Sequence, residues 1–168
     1  WGGGVAQGAG IVSSRIIGDK RPDDDGSGAG NEIRAGEGYG DFFKALNAEL
    51  AGAGAKIINN SWGGLYWNDA ALTTGEPSDN ARLPTLANDA QLEKGWLTVG
   101  ALDPDNPTQL TDYSQQCGSA KNYCLVAPGN TVFIDPQAKM GDAEYSLYRG
   151  GGTSYAAPQV SGAAAGVW

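Results

Sequence analysis

The residues best placed to do chemistry lie near the C-terminus, in Gly150-Gly151-Gly152-Thr153-Ser154-Tyr155-Ala156-Ala157-Pro158-Gln159-Val160-Ser161-Gly162. Three glycines let the backbone turn sharply and leave room for a second chain to approach. Ser154 then stands at the start of a helix. There its hydroxyl is exposed, and the free N–H groups of the first turn point outward with the positive end of the helix dipole. Such N–H groups can hold a developing oxyanion. Gly152 and Ala156 flank the serine with little bulk and keep the approach open. Pro158 withholds the donor for the Ser154 carbonyl, so an irregular first turn is expected. On residue physics alone, Thr153 or Ser154 as an ordinary N-cap is the simpler account of the same residues.

A serine alcohol is a weak nucleophile near neutral pH and needs a base within hydrogen-bond reach. The 168 residues contain no histidine, so no imidazole can come from them. A Ser–Lys pair is disfavoured, because Lys56, Lys94 and Lys121 sit in segments with other readings. Cys117 and Cys124 lack flanking histidines or a second pair and make a poor zinc site. A short-loop disulfide in a secreted protein is preferred over two reduced buried thiols. Asp23, Asp24 and Asp25 precede Gly26 as in calcium loops, but Arg34 replaces the trailing glutamate, and a solvated acidic loop is the better reading. No cofactor is expected, and a structural calcium ion stays open. Asp103 and Asp105 flank Pro104 in a turn, not in a catalytic pair. The glycine clusters complete neither nucleotide-binding pattern. Gly152-x-Ser154-x-Ala156 partly matches the nucleophile elbow of α/β-hydrolases, but that fold needs a histidine after the serine.

Composition narrows the classes further. The net charge is -8, so the chain repels phosphate on average and nucleic acid is not an expected partner. Gly and Pro make up roughly 21% of the chain against about 12% in an average protein. The 40% hydrophobic residues and five Trp still supply a packed core and exclude a collagen-like or disordered chain. No apolar window is long enough for a membrane-spanning helix. The first residues do not form a signal peptide.

The elements that must position Ser154 are set by periodicity. Residues 9–17 (AGIVSSRII) form a short β-branched run read as a buried strand, and 19–40 read as a Gly-rich loop. Over 41–51, Phe42, Phe43, Leu46 and Leu50 share one helical face, and Gly52 and Gly54 end the helix. Residues 56–60 (KIINN) form the next strand, giving a βαβ unit and hence a parallel sheet. Residues 95–102, 123–126, 131–134 and 143–148 are strand-like. Residues 154–168 read as a buried helix packed closely through Gly162 and Gly166. No internal repeat is evident. The stretch 62–94 holds no clear helix or apolar strand, although a parallel crossover normally needs one.

The segment from Gly152 to Gly162 closely resembles the nucleophile motif of subtilisin-like serine proteases. Gly4-Val5-Ala6-Gln7-Gly8-Ala9 resembles the segment after that family's histidine helix, and Ile57-Ile58-Asn59-Asn60-Ser61-Trp62-Gly63-Gly64 its substrate-binding strand. Residues 95–101 resemble the strand after its oxyanion segment. Residues 117–129, with both cysteines, resemble the secreted bacterial branch that includes autotransporter passengers. The resemblance covers nearly the whole chain, thinly over 19–40 and 67–77. It implies an α/β fold with a mainly parallel sheet flanked by helices. It also implies peptide-bond hydrolysis, with Ser154 as nucleophile and its own N–H as an oxyanion donor. Ser61, Trp62 and Gly63 would pair with the backbone of a protein or peptide substrate. The family's aspartate and histidine motifs precede the segment that begins this chain, and its oxyanion asparagine belongs near 64–77. Asn80 lies in a later loop and does not inherit that role. The expectation is therefore a partial catalytic domain over 1–168, part of a longer chain and inactive in isolation. The alternative is a non-catalytic scaffold or binding fragment of the same origin, with Ser154 reduced to a helix cap.

Overall fold

The architecture is taken from a computed structural model, which describes residues 4–14, 16, 39–61, 75–134 and 147–168. The chain forms α1 (Tyr39–Gly52), two short helices α2 (Leu83–Ala87) and α3 (Ala90–Lys94), β1 (Thr98–Leu102), a 3₁₀ turn (Gly118–Tyr123), β2 (Cys124–Pro128), β3 (Asn130–Ile134), β4 (Leu147–Gly151) and α4 (Thr153–Val167). The class is α/β.

β1 and β2 pair in parallel, with Ala101 opposite Ala127, whereas β3 and β4 pair antiparallel, with Asn130 opposite Gly151. The mainly parallel sheet thus reduces, among the described residues, to one parallel pair and one hairpin. Residues 9–14 and 56–60 form no strand. β-branched runs favour strands only where a neighbour supplies hydrogen bonds and burial. Ile11 is 92% exposed and Ile58 37%, and among the described residues neither run has a strand partner.

α1 spans the expected helix and ends as its glycines require. Ala55 N–H donates to the Leu50 carbonyl and Gly54 N–H to that of Ala51, with Gly54 at φ 93°. This pair of bonds is a Schellman ending, which favours glycine at the left-handed position. The stretch expected to lack helices contains two. Pro84 lies in the first turn of α2, where its missing N–H costs nothing. Asp89 caps α3 by accepting from the N–H groups of Gln91 and Leu92.

The core is small and close. α4 lies across β1 and β2, and Ala101, Ala127 and Ala156 meet there beside Val99 and Val160. Alanines on all three elements let the helix axis approach the sheet, so that helix position depends on small side chains. α4 is only partly buried, a correction to the expected buried helix. Its close contact is at Gly162, where a Cβ would lie 2.9 Å from Val5, while one at Gly166 would meet nothing within 4 Å.

A second set of contacts ties residues 75–82 to the 3₁₀ turn. Cys117 and Cys124 are joined as a disulfide across it. Glu76 accepts from Ser119 N–H at 2.9 Å and Ser119 Oγ at 2.6 Å, and Arg82 lies 3.5 Å away. The Ser119 hydroxyl, then its N–H, hold the Glu76 carboxyl below its ordinary pKa against an opposing effect of burial, and Arg82 adds a lesser lowering. Tyr123 Oη lies 2.6 Å from Thr85 Oγ1 and binds α2 to the same turn.

Candidate active site

Ser154 is the second residue of α4, immediately after the turn that leaves β4. The N-cap is Gly152, at φ 147° and ψ 157°, and no side chain caps the helix. Neither Thr153 nor Ser154 takes the capping role that residue physics alone suggests. That backbone region is nearly exclusive to glycine. Tyr155 N–H donates to the Gly152 carbonyl at 3.0 Å, an i→i−3 bond, so the helix starts tightly. α4 then continues through Pro158 to Val167, and the irregularity does not break it. The Gln159 amide nitrogen reaches the Pro128 carbonyl and the Tyr155 carbonyl, each at 2.9 Å, binding the helix to the end of β2.

The Ser154 side chain is exposed, and its Oγ donates to the Ser61 carbonyl at 3.0 Å. These residues are 93 positions apart. Two further bonds fasten the segment that carries Ser61. Asn59 Nδ2 donates to Ser61 Oγ at 2.7 Å, and Ser161 Oγ lies 3.1 Å from both Asn59 Oδ1 and the Ala157 carbonyl. A segment with no sheet partner among the described residues is thereby held along α4. Trp62 and Gly63, the other expected substrate-binding residues, lie outside the described residues, as do Asp23, Asp24 and Asp25. Among the described residues no cluster of three or more His, Cys, Asp or Glu could hold a metal ion.

Aromatic packing supports the turn from the other side. The rings of Phe133 and Tyr155 stack at 5.8 Å, and Phe133 stacks on Tyr148 at 6.4 Å. They close over Gly150, where a Cβ would lie 2.6 Å from both Phe133 and Tyr155. Tyr113 also reaches the turn, donating from Oη to the Gly129 carbonyl at 3.0 Å. Nothing in the sequence singles out Tyr113 or Phe133. Aromatic residues at strand and loop positions carry no periodic signal of where they point.

Chemically, the arrangement offers an exposed hydroxyl on the first turn of a fifteen-residue helix whose N-terminus no side chain caps. In that state the hydroxyl proton points at a backbone carbonyl. Nothing in this chain is a histidine that could remove it.

Comparison with known proteins gives an independent assignment. A family model described as "Subtilase family" matches residues 68–168, more than half of the chain. Serotype-specific antigen 1 of Mannheimia haemolytica is 33% identical over 72 residues, which cover 42% of this chain and 8% of that protein. The chain thus corresponds to a small part of that relative's length. No solved structure matches.

Proposed function

The chain belongs to the subtilase family, and from that footing we propose that it is part of the catalytic domain of a serine endopeptidase acting on proteins or peptides. Ser154 is the nucleophile. The observation that carries this reading is the exposed Ser154 hydroxyl, seated at the head of α4 against the Ser61 carbonyl. Attack requires that hydroxyl to leave the carbonyl and give its proton to a base as the new C–O bond forms. The base and its orienting acid come from polypeptide beyond these 168 residues. The Ser154 N–H then faces the oxygen on which negative charge develops.

The segment that carries Ser61 serves as the fixed wall along which an extended substrate lies, and Ser61, Trp62 and Gly63 are the residues assigned to pair with it. Attachment of that segment to α4 through Asn59 and Ser161 fixes the wall relative to the nucleophile. Main-chain pairing there supplies affinity with little side-chain selectivity. The disulfide suits an oxidising compartment, and a secreted or surface-exposed bacterial protein is the setting we assign. Among the described residues no helix is long and apolar enough to cross a membrane.

The test is hydrolysis of a quenched fluorescent peptide library by the full-length native protein and by Ser154→Ala. The reading expects Ser154→Ala to lose on the order of 10⁴-fold or more in rate. Equal rates in the two proteins refute it. The isolated chain, having no imidazole, is expected to hydrolyse none of the library.

A further inference from the structure

We infer that Tyr113 is a positioning residue for Ser154, acting through the carbonyl of Gly129. This rests on the reading of Ser154 as the nucleophile. Gly129 joins β2 to β3 and is buried. Its carbonyl gathers donors from three directions. Gly152 N–H donates at 2.9 Å, and Tyr113 Oη at 3.0 Å. The Asn130 amide nitrogen, turned toward them, reaches the Gly129 carbonyl and Tyr113 Oη, each at 3.0 Å. Asn130 Oδ1 then accepts from Arg149 at 3.2 Å. This orientation pairs every donor with an acceptor. The opposite one would set the amide oxygen against a carbonyl and the amide nitrogen against a guanidinium.

The consequence lies two residues downstream. Gly152 is the N-cap of α4, and its N–H donates to the Gly129 carbonyl. Its own backbone sits in a region with few competing restraints for glycine. The place of Ser154 relative to Ser61 is therefore set by where the Gly129 carbonyl points. Tyr113 and Asn130 aim that carbonyl, and Gly129 N–H is anchored in turn to Leu102 at the end of β1. Tyr113 comes from the loop after β1, so one hydroxyl ties the nucleophile turn to the parallel pair that carries the core. Tyr113 as a residue is 46% exposed, while its hydroxyl is engaged with the buried Gly129.

The experiment uses the full-length native protein. Tyr113→Phe keeps the ring and removes the hydroxyl. Tyr123→Phe is the matched control, since it removes a hydroxyl bonded to Thr85 in the separate clamp. Two quantities are read: hydrogen exchange at the Gly152 amide, and saturation kinetics of fluorophosphonate labelling at Ser154. Tyr113→Phe is expected to speed Gly152 exchange about fivefold, the loss of one hydrogen bond. It is also expected to lower the limiting labelling rate about tenfold through misplacement of the nucleophile. The half-saturating probe concentration and the pH profile stay as in the wild type. Asn130→Ala acts in the same direction, and Tyr123→Phe leaves both readouts unchanged. A limiting rate unchanged in Tyr113→Phe, with the wild type labelled at Ser154, overturns the positioning role alone. A loss shared equally by Tyr123→Phe overturns it too, since general destabilisation would then explain the effect. No labelling of wild-type Ser154 overturns the nucleophile reading itself.

Discussion

Replacing Gly152 by alanine separates backbone conformation from packing at the candidate site. An added Cβ would have Tyr155 Cδ2 at 3.8 Å and Ser154 N at 3.9 Å as its nearest neighbours, which is ordinary van der Waals contact. The substitution therefore creates no clash. Its cost lies in the residue's own conformation, φ 147° and ψ 157°, which a side chain disfavours by about 1–3 kcal/mol. The alternative is relaxation into the ordinary β region. That breaks the Gly152 N–H bond to Gly129, worth about 1 kcal/mol, and draws Ser154 from the Ser61 carbonyl. By either route stability falls by about 2 kcal/mol, which for a domain of this size lowers Tm by roughly 4–8 °C. Urea unfolding is expected to show a lower midpoint at unchanged slope. Gly95→Ala is the control, at φ −104° and with only a carbonyl at 3.9 Å, and should be neutral or slightly stabilising. An unfolding midpoint for Gly152→Ala at or above the wild-type value would refute the reasoning, because the turn would then need no glycine.

Three further outcomes come from the packing. Gly150→Ala should destabilise through contact, since its Cβ would press to 2.6 Å from Phe133 and Tyr155, with a loss of about 1–3 kcal/mol in urea unfolding. Replacing both Cys117 and Cys124 by serine opens a short loop and should cost about 2.5 kcal/mol on chain-entropy grounds, read from unfolding midpoints without reductant. Glu76 has a depressed carboxyl in the folded state, so its contribution is present above the ordinary glutamate value and is lost as pH falls through the folded value. Wild type should therefore exceed Glu76→Gln in stability near neutral pH, and the gap should begin to narrow below about pH 4.3 and close once pH is below the depressed folded value. A gap independent of pH would contradict the Ser119–Glu76 contact.

The parts of this fold that can be read from residues are those held by local rules. The helix over 41–51 is marked by Phe42, Phe43, Leu46 and Leu50 and by the glycines that end it, and α1 agrees with them. β1 lies inside the expected run at 95–102, and β2 overlaps the one at 123–126 but extends to Pro128. The apolar runs at 9–17 and 56–60 mislead because strand formation is a property of a pair, and neither run has a hydrogen-bonded partner among the described residues. α2 and α3 are hard to see because five residues are too short to show a period, although Asp89 ahead of residues 90–94 is a capping signal. At the site, only the Ser154 motif is legible. Its neighbour Ser61 is 93 residues away, and residue physics alone has no means to bring the two together. That pairing is available through resemblance. The Tyr113–Gly129–Asn130 node is available through neither, since it depends on where one carbonyl points.

The central claim is that Ser154 is a nucleophile activated by groups beyond these 168 residues. Its most direct test is a fluorophosphonate probe applied to the full-length native protein and to the isolated chain, with the modified residue mapped by peptide mass spectrometry. The account predicts covalent modification of Ser154 in the full-length protein and none above background in the isolated chain. Full-length protein that is folded yet unmodified at Ser154 would contradict it, and so would modification of Ser154 in the isolated chain.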